Sequence, residues 1–309
     1  MKKTTLSERA ESLIRQNSRL AALKPVIEKE LIHYDIFFLL QQKSLILPEM
    51  GFISGTCLRL CHGSNRYSED LDFHAGTDFE PQHFDSIRLE IERYLADRYG
   101  LAVEVRSPKQ LKNDPNYANS QANTWKIIIK THESRRDIPA QRVHIDIANV
   151  PTHDATPQLI KTHYSNLPDG YDMMLFKSSS KSEILADKLL AIPARNNIKA
   201  RDLWDVIWLQ QQGALENIEL LRLKLADHRL EHYKTLLEAR INTLPVYFEK
   251  PFFVQEMSRF IDSTRLADTI KRPEFVHYVN EKIMSTLTKV HSDLYTSDLG
   301  NQKSPYKTW

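Results

Sequence analysis

Two short stretches constrain this chain most. Asp70-Leu71-Asp72-Phe73 and His144-Ile145-Asp146-Ile147 alternate polar and apolar residues one by one. A period of two belongs to a strand with one wet face and one buried face. A chain carrying such strands must build a sheet and cover its apolar side. Further strands are expected at Leu101 to Val105, Trp125 to Lys130 and Val143 to Val150. A short strand, or its approach, is expected where the broken apolar run Ile46 to Ile53 reaches Ser54-Gly55. A polar turn at Lys112 to Asn123 and a hairpin-like excursion through Arg135 to Gln141 separate the later strands.

Helical spacing appears at Ser7 to Gln16, Pro25 to Lys43, Thr56 to Cys61 and His83 to Tyr99. Pro25 suits a first helical turn. From Ser180 onward no strand is expected. Glu183 to Ile192, Ala200 to Gln212, Ile218 to Leu225, Leu230 to Leu244 and Phe275 to Val290 all repeat apolar residues at helical spacing. The fold class is therefore α+β: a mixed sheet with helices in the N-terminal half, followed by a helical C-terminal half. Pro151, Pro168 and Gly170 punctuate the change, which places domains at 1–170 and 171–309. A chain of 309 residues has room for one large domain or two medium ones.

Composition removes several classes. The two cysteines, Cys57 and Cys61, rule out a disulfide scaffold and a four-cysteine zinc site, and suit a reducing compartment. With 42 Lys and Arg against 40 Asp and Glu, net charge announces no nucleic-acid binder, although a local patch remains open. No signal-type core follows the basic start and no apolar run is long enough to span a bilayer, so a cytoplasmic location without membrane contact is the expectation.

The alternation carries chemistry as well as fold. Asp70 and Asp72 point to one face, about 6.6 Å apart along an extended strand. Carboxylates that close repel each other unless a cation lies between them. Asp146 stands alone on the polar side of its own strand, so neighbouring strands would gather three carboxylates on one face. That set suits a hard divalent ion, Mg2+ or Mn2+, and in-line phosphoryl or nucleotidyl transfer. Ser54-Gly55-Thr56 precedes the first pair, and its glycine lets backbone approach a phosphate. An Asp-x-Asp pair alone is common at strand ends, so the added glycine loop and Asp146 carry the argument. His62, His74 and His144 share no metal-ligand spacing and are read as surface or packing residues. Cys57 and Cys61 share a helical face and are read as packing.

Phe52-Ile53-Ser54-Gly55-Thr56-Cys57-Leu58-Arg59-Leu60, followed by Arg66-Tyr67-Ser68-Glu69-Asp70-Leu71-Asp72-Phe73, resembles the AbiEii/AbiGii toxin family. That family belongs to the DNA polymerase beta-like nucleotidyltransferase superfamily. Ser54 stands where its pattern has the first of two glycines, and Cys57 where it has alanine. Glu28-Lys29-Glu30 is similar to its Glu-Lys-Asp stretch. Glu183-Ile184-Leu185-Ala186-Asp187-Lys188-Leu189 is similar to its Glu-x-hydrophobic-Ala-Glu-Lys-Leu helix. Arg195 with Arg201-Asp202-Leu203-Trp204-Asp205 is similar to its later Arg and Arg-Asp helix. The resemblance runs from about residue 26 to 212, and the last hundred residues carry no motif.

The resemblance implies a nucleotidyltransferase-type fold and a metal-dependent transfer of NMP from an NTP. Asp70, Asp72 and Asp146 would hold the metal, and Asp146 would also help deprotonate the acceptor hydroxyl. Ser54, Gly55 and Thr56 would cradle phosphates. Arg66 would pair with the carboxylates or grip a phosphate. Ser68 would assist there or simply cap the turn. Lys188 would contact nucleotide phosphates, against a bland reading as a snorkelling lysine. Asp205 would orient a base or Lys188, and Arg201 or Arg195 would fix triphosphate, with Lys199 extending the positive edge. Arg201 and Asp205 can pair at i,i+4, with Asp202 facing elsewhere. The helical half would complete a nucleotide or acceptor cleft. The implied setting is a toxin–antitoxin or abortive-infection pair, with an antitoxin partner and the tRNA 3′ end as acceptor. Protein or small-molecule acceptors, a non-catalytic nucleotide-binding module and a metal phosphohydrolase are the other readings. Lys271, Arg272, Lys282, Lys289 and Lys303, with Tyr278, Tyr295 and Trp309, would form an RNA platform.

Overall fold

The computed structural model describes residues 4–111, 122–131, 139–164 and 167–296. The polar turn after Lys112, most of the Arg135 to Gln141 excursion, Lys303 and Trp309 lie outside the described residues. The chain divides into two compact units. One holds residues 1–180 together with Arg259–Arg265, and the other holds the remainder.

The first unit is built on a seven-stranded mixed sheet. Its strands are β1 (Gly51–Ile53), β2 (Leu71–His74), β3 (Val103–Arg106), β4 (Asn123–Ile129), β5 (Gln141–Ala148), β6 (Ala155–Leu159) and β7 (Leu175–Ser179). Their order is β3-β4-β5-β2-β1-β7-β6. The pairs β1–β7 and β2–β5 are parallel and the others antiparallel. β6 and β7 are additions to the expected set. β7 hydrogen-bonds beside β1, so the sheet-bearing unit reaches Ser180 instead of ending near 170.

Local signals set the helices of this unit. α1 (Leu6–Gln16) starts with a capping box between Thr5 and Glu8. α2 (Lys24–Gln42) carries Pro25 in its first turn, where the missing N–H costs nothing. α3 (Ser54–Cys57) runs on as a π-helical turn, Leu58–His62, which Gly63 ends at φ +81°. α4 (Gln82–Tyr99) stops at Gly100 in the left-handed region, and α5 (Pro108–Leu111) is a single turn. Phe37 of α2 packs its ring on Phe52, Phe73 and Phe176, at centroid distances of 4.8, 6.3 and 4.5 Å. One aromatic cluster thus ties β1, β2 and β7 to α2 on the sheet's apolar face.

The second unit contains helices only, among the described residues. These are α6 (Lys181–Ala194), α7 (Ala200–Gln211), α8 (Ile218–Asp227), α9 (Tyr233–Phe248), α10 (Phe252–Met257) and α12 (Pro273–Tyr295). Between the last two lies α11 (Ser263–Asp268), which starts inside the returning segment. No described helix is long and apolar enough to cross a membrane.

Candidate active site

Strand register assembles the carboxylates. Asp72 of β2 is the Cα partner of Asp146 on β5, and of Ile53 on β1. Paired residues on neighbouring strands project to the same face. Leu71 and Phe73, with their partners Ile145 and Ile147, fill the opposite, buried face. Asp70 stands just before β2. Its Oδ1 accepts from the His144 backbone N–H at 3.0 Å and lies 2.8 Å from His144 Nδ1. Burial would raise the Asp70 carboxyl, but the bonds and charge of His144 outweigh it and hold the group below the usual range. Asp146 goes the other way. Burial pushes it up and the neighbouring Asp70 charge adds to that, against a 2.5 Å bond donated by Thr124 Oγ1. His144 therefore has a defined partner at the site, which spacing rules for metal ligands do not detect.

The loop feeding this face is strained and tightly packed. β1 runs directly into Ser54, which sits at φ +67°. A side chain in that left-handed region costs roughly 1–2 kcal/mol, which is why glycine suits the position. Thr56 donates its hydroxyl to the carbonyl of Asp70. Gly55 faces Arg66: a Cβ on it would lie 2.2 Å from Arg66 Nη2. Arg66 is buried and donates from Nη1 to the carbonyl of Tyr67 at 2.8 Å. The glycine leaves room for a guanidinium packed against it. Ser68 is buried as well. Cys57 and Cys61 are buried, and Cys61 Sγ lies 3.1 Å from Ser178 Oγ. His62 Nε2 lies 2.8 Å from the carbonyl of Ser179, and His74 is buried.

Glu28-Lys29-Glu30 on α2 holds three separate segments. Glu28 accepts from Gln141 Nε2 at the start of β5. Lys29 pairs with Glu69 at 2.7 Å, one residue from Asp70. Glu30 takes Arg59 of the π turn at 2.9 Å, and burial of that carboxylate is more than offset by the arginine's charge. One helical turn therefore indexes β5, the approach to β2 and the loop helix to one another. The long-range partners, 29 to 113 residues away, give no local sequence signal.

In the helical unit, Lys188 is buried and pairs with Asp202 at 2.7 Å and Asp205 at 2.9 Å. Asp202 also takes Arg195, whose side chain is 47% exposed. This corrects the expectation that Asp202 faces elsewhere. Asp202 and Asp205 are three residues apart, so they share a helix face, and Lys188 draws both. Arg201 contacts Glu256 at 3.3 Å. In a second cluster, Lys224 of α8 is buried against Glu183 at 2.8 Å and Asp187 at 2.7 Å. The Glu183 and Asp187 spacing of four was its only sequence trace. Of the proposed platform cations, Lys289 pairs with Glu216 and Asp293, and Arg272 with Asp268.

Donor chemistry at the sheet fits a hard divalent ion. The three groups are oxygen donors, and the Asp70 charge raises Asp146, a repulsion that a cation would relieve. Among the described residues, though, no three His, Cys, Asp or Glu side chains are gathered closely enough to form a metal site. Asp70 is turned onto His144.

The mixed sheet carries its strand carboxylates beside the glycine loop, and the family match gives the class of enzyme. The chain belongs to the AbiEii family of nucleotidyl transferase toxins from Type IV toxin–antitoxin systems, whose family model matches residues 52–283. That span carries the family some seventy positions beyond residue 212, into helices where the sequence shows no motif. Membership makes the chain an NTP-using enzyme with an antitoxin partner. Among solved structures, it is similar to MenT4, a nucleotidyltransferase toxin of Mycobacterium tuberculosis H37Rv. Identity is 17% and the TM-score 0.50, covering 92% of this chain and 98% of that one. It is also similar to JHP933 of Helicobacter pylori, at 15% identity and TM-score 0.46 over 89% and 95% of the two chains. A third likeness is to an H. pylori protein described as a nucleotidyltransferase, at 16% identity and TM-score 0.46 over 88% and 97%. No curated protein matches this chain. The MenT4 likeness concerns the fold.

Proposed function

We propose that this chain transfers NMP from an NTP to the 3′ end of tRNA, with Asp70, Asp72 and Asp146 at the reacting centre. The observation that carries the reading is the register of Asp72 on Asp146, with Asp70 at the head of the same strand. Ser54, Gly55 and Thr56 present the loop backbone to the nucleotide phosphates, and the Thr56 bond to Asp70 fixes that loop against the carboxylates. Asp146, raised by burial and by Asp70, is the group suited to take the proton of the attacking hydroxyl. The hydroxyl oxygen bonds to the α-phosphorus, the bond to the β-phosphate bridge breaks, and pyrophosphate leaves.

Mg2+, or Mn2+ in its place, would be held by Asp70, Asp72 and Asp146, and when bound it supplies positive charge to the triphosphate. Arg66 steadies the loop from beneath. In the helical unit, Asp205 orients Lys188, Asp202 couples it to Arg195, and Arg195 is the cation of that cluster exposed enough to meet a phosphate. Lys188 holds Asp202 and Asp205 together, and Arg201, beside Asp202 in sequence, pairs with Glu256. We place the reaction in the cytoplasm, where tRNA and NTPs are available.

The test is transfer from each labelled NTP, offered separately with Mg2+ to total tRNA, against an Asp72→Ala control. Label on RNA from one NTP that vanishes in the control establishes the reaction and its donor. No transfer while Mg2+-dependent NTP binding persists would refute the tRNA reading and direct the search to protein or small-molecule acceptors.

A further inference from the structure

The segment Arg259–Arg265 returns from the helical half of the chain into the sheet unit. Phe260 and Ile261 anchor it, both almost fully buried. The Phe260 carbonyl accepts from the Tyr67 backbone N–H at 2.8 Å, and Arg265 Nη1 donates to the Asn65 carbonyl at 3.4 Å. Both ends of the segment therefore grip the loop that leads through Glu69 to Asp70 and Asp72.

Arg259 heads this segment with its side chain 66% exposed. Its guanidinium carbon lies 5.5 Å from the centre of the Phe260 ring. Its Nη2 lies 3.7 Å from Glu69 Oε1, a carboxylate that Lys29 already holds at 2.7 Å. A long, exposed second pair contributes little to stability. What the arrangement does achieve is placement. β1 and β2 are antiparallel, so the Ser54–Thr56 loop, Asp70 and Glu69 all lie at one end of the sheet. Arg259 stands at that end on a buried anchor.

An RNA strand reaching this end meets three carboxylates and is repelled unless cations at the rim offset them. Lys29 is taken up by Glu69 and is only 15% exposed. A planar guanidinium is the group suited to phosphate oxygens. We propose that Arg259 binds a backbone phosphate of the acceptor RNA and so positions its 3′ end. This rests on the RNA reading above.

The test compares wild type, Arg259→Gln and Arg259→Lys. Each is assayed for transfer to total tRNA, for NTP binding, and for tRNA binding at several salt concentrations. Arg259→Gln is expected to raise KM for tRNA about tenfold, the loss of one charged hydrogen bond. The slope of log affinity against log salt should fall by about 0.7–0.9, one phosphate contact. NTP binding should not change, and Arg259→Lys should keep the salt slope. A merely structural role would not move the slope. Wild-type transfer with an unchanged KM and slope in Arg259→Gln overturns this assignment alone. A wild type that neither binds nor labels RNA overturns the assignment together with the reading beneath it.

Discussion

Adjacent substitutions at Ser54 and Gly55 should act in opposite directions, and the reason separates two explanations for the glycine. Ser54 sits at φ +67°, where a non-glycine side chain costs roughly 1–2 kcal/mol. Ser54→Gly removes that cost but adds back about 0.5–1 kcal/mol of chain entropy. A net gain of about 0.5–1 kcal/mol is expected. At the next position, Gly55→Ala would place a Cβ 2.2 Å from Arg66 Nη2. The guanidinium must retreat by roughly 1 Å to reach ordinary contact. It is buried and bonded to the Tyr67 carbonyl, so retreat forfeits a charged hydrogen bond of about 1.5–3 kcal/mol. Alanine's helix propensity returns up to about 1 kcal/mol. Gly55→Ala should therefore cost about 1–2 kcal/mol in urea unfolding and weaken NTP binding as well. The double variant with Arg66→Met should show a coupling energy above about 1 kcal/mol, because the clash disappears with its partner. If the glycine serves only to admit a phosphate, Gly55→Ala would lower NTP affinity with the unfolding midpoint unchanged, and the packing argument would be refuted.

Two further perturbations test the buried charges. Burial lowers the His33 imidazole to about 4 in the folded chain, against 6.5 as its ordinary value. The unfolded chain binds more protons between those values, so stability is full above about pH 6.5 and lost as pH falls toward 4, about 3 kcal/mol in all. Unfolding free energies across that window should be flatter for His33→Gln by that amount, and a parallel pair of curves would contradict the assignment. Lys224→Met leaves Glu183 and Asp187 without their shared cation, which is expected to cost about 3–5 kcal/mol. A loss under about 1 kcal/mol in denaturant melts would show that the cluster relaxes into solvent.

The division of information between sequence and structure follows the range of each interaction. Pro25 at the first turn of α2 and the alternation through Asp70 and Asp72 are short-range patterns, and each has its counterpart in the fold. The boundaries expected for α1, α2 and α4 fall within about two residues of those observed, as end fraying allows. β6 carries Pro157, which argues against a strand in the sequence, yet β6 is an edge strand, where a missing N–H is tolerated. β7, Leu-Phe-Lys-Ser-Ser, shows no apolar alternation because two of its buried positions are the serines Ser178 and Ser179. Asp202 was misplaced because its partner, Lys188, lies on a different helix.

Residue spacing alone determined that this chain carries carboxylates on strands, a glycine loop before them and a helical half behind. Only tertiary structure decided that Asp72 faces Asp146, that Arg66 lies under Gly55, and that three successive residues of α2 clamp three different segments. The reason is physical: periodicity records which face a residue occupies, whereas a buried charge is stabilised by whichever distant group the fold brings to it, and that choice leaves no mark on the neighbouring residues.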